Sequence, residues 1–411
     1  SIFCRKEDVI ILFNMEVLNF RYRKILKETD TKIHRCLFSG IDWTQPLIGI
    51  EGQRGVGKTT MMLQRIKETD PSGDKSFYAS LDNLWFADHS LIDFAEQMIA
   101  RGVEHLYLDE VHKLPGWERQ IKNIYDSYPE LKVVFTSSSL LEIDHSIGDL
   151  SRRVSRYFLP GLSFREFLLF EGIDAGKPLS LSDILYSHES LAPSISAGID
   201  ILSLFKSYMN KGYYPFYRHM RINDYYNRLQ QIVTTVIESD IPAVEKKIEY
   251  ETLLKAKRLL AIIAASLPYI PNVSSLAGLM GTNRNQLLKL FDLLDRAGLI
   301  RQLFSSTQNP NSLAKPQKIL LNNSSLMYAL ENPKIGASRE STFASLLSVG
   351  HKVGFAKDGD FMVDGRYLFE IGGKGKGFAQ IRNIPDSFVV ADEIEFGFEN
   401  KIPLWLFGFL Y

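Results

Sequence analysis

The chain has 411 residues, 45% of them apolar and 23% charged, enough for two to four domains with cores of their own. Lys+Arg and Asp+Glu balance at 48 each, which excludes a polycation drawn to nucleic acid or anionic lipid by net charge. Two cysteines, Cys4 and Cys36, exclude a disulfide framework or a Cys-rich zinc centre and fit a reducing cytoplasm. The apolar runs fall short of the roughly 18 residues a membrane span needs, so no membrane partner is expected.

Residues 1–14 read as an upstream extension ahead of Met15, and 1–35 as a helical lead-in. Residues 36–165 alternate strand-like runs (47–51, 75–81, 104–108, 131–136, 156–160) with helical patterns (59–67, 91–100, 117–128). That order implies crossover units and an α/β core with a mainly parallel sheet covered on both faces. Residues 166–245 are mostly helical and rich in Phe and Tyr, a lid or linker in which the Tyr-Tyr-Pro-Phe-Tyr stretch at 213–217 reads as packing. Across 246–310, three helical stretches, the last two near 274–280 and 283–297, precede a strand at 299–304, the order of a winged helix-turn-helix. Residues 311–411 read as a small α/β domain with a helix at 341–349 and a hairpin around Asp364-Gly365.

Residues 52–60 carry the clearest chemistry. Gly52, Gln53, Arg54, Gly55, Val56, Gly57, Lys58, Thr59 and Thr60 contain the full G-x-x-x-x-G-K-[ST] pattern between a buried strand and a helix. Glycines let successive N–H groups close around phosphates, and the helix N-terminus adds its dipole. Lys58 supplies a point charge, and the Thr59 hydroxyl a ligand for Mg²⁺. Arg54 reads either as part of this nucleotide site or as a surface residue of the turn. The complementary half is His105-Leu-Tyr-Leu-Asp109-Glu110, a buried strand ending in acids. There Asp109 would hold Mg²⁺ and Glu110 would polarise the attacking water. The next strand ends near Thr136 and Ser138, candidates to sense the γ-phosphate, with helix capping as the alternative. Arg152 and Arg153, with Arg156 as a weaker candidate, could deliver an arginine to the γ-phosphate from a neighbouring copy. ATP and Mg²⁺ are the cofactors expected.

In the helix-turn-helix region, Asn283, Arg284, Asn285, Gln286 and Lys289 open the third helix with side chains able to meet phosphates and base edges. Six basic residues face two acidic ones between 271 and 330. DNA or a protein partner, a second copy of the chain included, would suit this module, which could also serve as part of the ATPase body.

Gly52–Thr60, 106–110, 136–140 and the segment Leu-Pro-Gly-Leu-Ser-Phe-Arg-Glu-Phe at 159–167 together resemble an AAA-type P-loop ATPase family of bacteria and archaea. The pieces at 318–330, 359–378 and 402–409 extend the likeness to nearly the whole chain from Met15. The resemblance implies an ATPase core, a winged helix and a C-terminal restriction-endonuclease-like domain. Nucleases of that fold hold Mg²⁺ between an Asp and an E-x-K, often with a Glu from a preceding helix. The matching residues are Glu340, Asp360 and Glu370. The position two beyond Glu370 is Gly372 rather than Lys, leaving Lys374 or Lys376 to reach back, or an inactive domain. A two-residue turn at Asp364-Gly365 would separate Asp360 and Glu370 onto opposite faces. A three-residue loop at 363–365 would place them on one face. The expected function is an Mg-dependent ATPase acting as a switch or motor. The alternatives are an ATP-gated DNA-processing nuclease and a nucleotide-responsive DNA-binding or scaffold protein with little turnover.

Overall fold

The computed structural model of the chain describes residues 6–137, 150, 152–245, 247–305, 314–331 and 334–411, with side chains from residue 15 onward. It resolves into two compact units, 1–159 and 160–411.

The first unit runs α1 (Lys6–Glu28), α2 (Leu37–Gly40), β1 (Leu47–Glu51), α3 (Lys58–Thr69), β2 (Ser76–Ser80), α4 (Leu91–Ala100), β3 (His105–Asp109), α5 (Trp117–Ser127), β4 (Lys132–Ser137) and β5 (Ser155–Phe158). The five strands form one sheet in the order β2-β3-β4-β1-β5, and every neighbouring pair is parallel. Strands covered on both faces read as continuous apolar runs. Accordingly Leu47, Ile48 and Ile50 of β1 and Leu106, Tyr107 and Leu108 of β3 are all buried. α5 turns Trp117, Ile121 and Ile124 inward at helical spacing, and Trp117 meets Phe135 of β4 with ring centroids 5.4 Å apart. Parallel order puts the carboxyl ends of β1, β3 and β4 side by side on one edge, where such sheets bind ligands.

The second unit begins with helices α6 (Phe164–Phe170), α7 (Leu181–Ser196), α8 (Ile201–Lys211) and α9 (Ile222–Thr235). α9 runs through a π-turn into α10 (Ile241–Val244). Ser163 and Glu166 form a reciprocal capping box at the start of α6, satisfying two orphan N–H groups. The Ser163 hydroxyl and Arg165 Nε also donate to the main-chain carbonyl of Tyr411, at 2.8 and 3.0 Å. Gly161 packs so tightly on Tyr213 that a Cβ there would meet the ring at 2.3 Å. The 159–167 segment therefore does structural work within this unit from residue 160 on. The 213–217 stretch is packing, with Tyr213, Tyr214 and Tyr217 buried.

Three helices follow, α11 (Tyr250–Ala265), α12 (Val273–Leu279) and α13 (Arg284–Arg296), then an antiparallel pair, β6 (Ile300–Leu303) and β7 (Lys318–Leu321). Tyr269, between α11 and α12, adds an antiparallel bridge to Ile319. β6 and β7 thus lie on either side of position 310, the edge expected between the winged helix and the C-terminal domain. After α14 (Ser324–Leu330) and α15 (Ile335–Leu347) come β8 (Val353–Phe355), β9 (Phe361–Val363), β10 (Tyr367–Gly372), β11 (Ser387–Ala391) and β12 (Lys401–Pro403). They form a mixed sheet, β12-β11-β10-β9-β8, antiparallel from β8 to β10 and parallel from β10 to β12.

Candidate nucleotide site

The glycine-rich loop lies between β1 and α3. Gly52 passes so close to Leu159 that a Cβ would sit 2.4 Å from its carbonyl oxygen. Gly57, just before α3, is left-handed at φ 103°, a conformation that costs a non-glycine residue. Lys58 is buried, and its ammonium donates to the carbonyls of Gly52 (2.7 Å) and Gln53 (2.9 Å). It is therefore held over the centre of the loop.

Asp109 closes β3 at 4% exposure. Its Oδ2 accepts from the Thr59 hydroxyl at 2.6 Å and from the Tyr78 hydroxyl at 2.8 Å. Its Oδ1 accepts from the Thr136 hydroxyl. Thr136 in turn accepts the Glu110 N–H at 3.1 Å. Burial, with the Asp109 charge beside it, holds the Tyr78 phenol far above its ordinary value, so it remains a donor at any working pH. Thr59 and Asp109 together offer adjacent hard oxygen donors, the ligand type that Mg²⁺ takes. The residues present therefore fit that ion.

Glu110 is left-handed at φ 52°, and this turns its carboxylate towards the loop. Arg54 meets it with both guanidinium nitrogens, Nη1–Oε1 at 3.2 Å and Nη2–Oε2 at 3.3 Å. Arg54, its side chain 24% exposed, is thus joined to Glu110 by a forked ion pair. Ser138 lies outside the described residues. Arg152 is exposed. Arg153 Nε pairs with Asp126 at 3.1 Å, and Arg156 Nε with Glu51 at 2.6 Å. The sequence reading missed Tyr78. It also missed buried His112, whose Nδ1 lies 3.3 Å from the Ser137 hydroxyl.

In the second unit, Glu340 on α15, Asp360 just before β9 and Glu370 on β10 come together. The β9–β10 loop has three residues, as one expectation had it, but they are 364–366, with Asp364 and Gly365 both left-handed. Val363 pairs with Tyr367 and Phe361 with Phe369, so one further step sets Asp360 opposite Glu370. Lys374 is exposed, and its carbonyl accepts from Lys401 at 2.8 Å. Lys376 is the residue paired with Glu370.

A parallel sheet of this strand order, with a glycine-rich phosphate loop after β1 and an acid at the end of β3, is the P-loop NTPase fold. Comparison with known proteins agrees: residues 44–168 match a family model described as an AAA domain, and residues 202–339 match a domain of unknown function, DUF8612. An uncharacterised protein of Methanocaldococcus jannaschii is 27% identical over 326 residues, covering 76% of this chain. The chain spans 66% of that relative's length. Among solved structures, AMPPCP-bound DnaA from Aquifex aeolicus aligns at a TM-score of 0.28 and 16% identity, over 66% of this chain and 86% of its own. ADP-bound NtrX from Brucella abortus aligns at 0.28 and 15%, over 70% and 74%.

Proposed function

We propose that the chain is an Mg-dependent ATPase of AAA type, a nucleotide-driven switch or motor. The observation that supports this most is the 2.6 Å bond between Thr59, at the end of the phosphate loop, and Asp109, at the end of buried strand β3. Loop amides and Lys58 bind the phosphates of ATP. Bound Mg²⁺, held by Thr59 and Asp109, would neutralise phosphate charge as it builds up in the transition state. Glu110 takes the proton of the attacking water. Thr136, linking the Glu110 N–H to Asp109, relates the base to the metal ligand and senses the nucleotide. Arg152, exposed on the turn before β5, is assigned to the γ-phosphate of a neighbouring copy.

The output is assigned to α11–α13 with the β6–β7 hairpin as a winged helix. Asn283, Arg284, Asn285 and Lys289 are exposed at the start of α13 and suit DNA, which a mobility shift with and without ATP tests. For the ATPase itself, calorimetry with Mg-ATP should show saturable binding in the wild type and in Glu110→Gln, and none in Lys58→Ala. Turnover should vanish in Glu110→Gln. Unchanged turnover in that variant removes Glu110 as the base, and binding retained in Lys58→Ala removes the loop as the phosphate site.

A further inference from the structure

The acids of the second unit converge on lysines. Lys318, on β7 of the helical module's hairpin, has a side chain only 8% exposed. Its ammonium pairs with Glu340 of α15 and lies 3.3 Å from Asp360 Oδ1, while its charge stands 5.2 Å from the centre of the Phe361 ring. The other Asp360 oxygen accepts the Ile371 N–H at 2.8 Å. Glu370, 2% exposed, is paired through Oε1 with Lys376. The Lys376 stem covers Gly372 so closely that a Cβ there would meet it at 2.6 Å. The position at which a nuclease motif would carry its lysine is therefore sterically closed by a different lysine, which reaches the same glutamate.

A hard divalent cation needs several carboxylate oxygens aimed at one point about 2.0–2.6 Å away. In this cluster one oxygen each of Glu340 and Asp360 meets Lys318 Nζ, the other Asp360 oxygen takes the Ile371 N–H, and Glu370 Oε1 meets Lys376 Nζ. Among the described residues, no group of three or more His, Cys, Asp or Glu is placed to hold a metal ion. The restriction-endonuclease resemblance implies a metal that these residues do not fit. We infer that the cluster is an ion-pair centre in which Lys318 takes the place of the divalent cation and ties the β6–β7 hairpin to the C-terminal sheet.

Burial explains why the lysines are needed. It is the chief force pushing the Glu340 and Glu370 carboxyls upward, and Lys318 works against it at both. A lysine supplied from outside the sheet also gives the helical module and the sheet a common charged contact, which a diffusible ion would not.

The test is a titration of the full chain with Mn²⁺, reading free ion by its paramagnetic signal. Wild type and Glu370→Gln should bind the same number of ions, because this centre takes none. Lys318→Met should gain one further ion per chain, and Lys318→Met with Glu370→Gln should lose it again. Lys318→Arg, which keeps the charge, should behave as the wild type. A wild-type ion that disappears in Glu370→Gln overturns the inference, as does a folded Lys318→Met that gains none. If Lys318→Met does not fold, the comparison of wild type with Glu370→Gln still decides. That comparison is independent of the ATPase reading, since Glu370 is no part of the phosphate loop.

Discussion

Asp109 illustrates what a buried carboxylate demands of its neighbours. At 4% exposure it needs donors in place of water, and three hydroxyls from three elements supply them: Thr59, Tyr78 and Thr136. Thr59 and Asp109 were legible in the sequence because each belongs to a local pattern, the loop and the acid-ended strand. Tyr78 was not. Its role comes from β2 lying beside β3 in a register that pairs Tyr78 with Tyr107, a fact of strand order that no spacing within β2 reveals. Tyr78→Phe removes one donor to a charged acceptor and leaves two, an effect of about 1.5 kcal/mol. If Tyr78 positions the metal ligand, kcat for ATP should fall roughly tenfold with KM within about twofold. A steady-state assay that finds kcat unchanged, in a variant of lower stability, would make Tyr78 a packing residue only.

At the level of elements, hydrophobic runs and glycines placed the strands and helices of residues 47–137 to within a residue or two, because each run is long and bounded. The β9–β10 hairpin shows where such reading stops. Two loop lengths were open, and the structure takes the longer one, shifted to 364–366. The choice is made by Asp364, whose carboxylate accepts the Lys352 N–H at 2.9 Å and lies 2.7 Å from His351 Nδ1. Asp tolerates the left-handed region better than most residues, and those partners lie outside the turn itself. Helix α6 offers a test at this scale. Ser163→Ala loses the N-terminal cap of the helix and a bond to the Tyr411 carbonyl, although Arg165 still serves that carbonyl. The second unit should lose roughly 1–2 kcal/mol, and the amides of 163–168 should exchange hydrogen faster. An unchanged exchange pattern would mean that the cap contributes nothing to holding α6.

For the whole molecule, equal numbers of acids and bases hide how unevenly they are solvated, and stability against pH exposes it. Burial is the chief cause pushing the pKa of both His105, in the first unit, and His188, in the second, below the ordinary imidazole value of 6.5. The unfolded chain therefore takes up protons that the fold refuses, and each contribution to stability is lost as pH falls through about 6.5. Glu340 and Glu370 work in the opposite sense. Their carboxyls are raised chiefly by burial, so their contribution is complete below the ordinary carboxyl value and fades as pH rises through the folded values. The histidines' share of the loss on acidification should thus begin in the imidazole range. Because the two histidines lie in different units, one substitution separates them. In His188→Gln the fall in urea midpoint between about pH 7.5 and 5.5 should be shallower for the second unit than in the wild type, while the first unit's fall is unchanged. The slope is the quantity to read, since the substitution can also shift the midpoint at every pH. A second-unit slope equal to that of the wild type would mean that His188 does not set the acid limb.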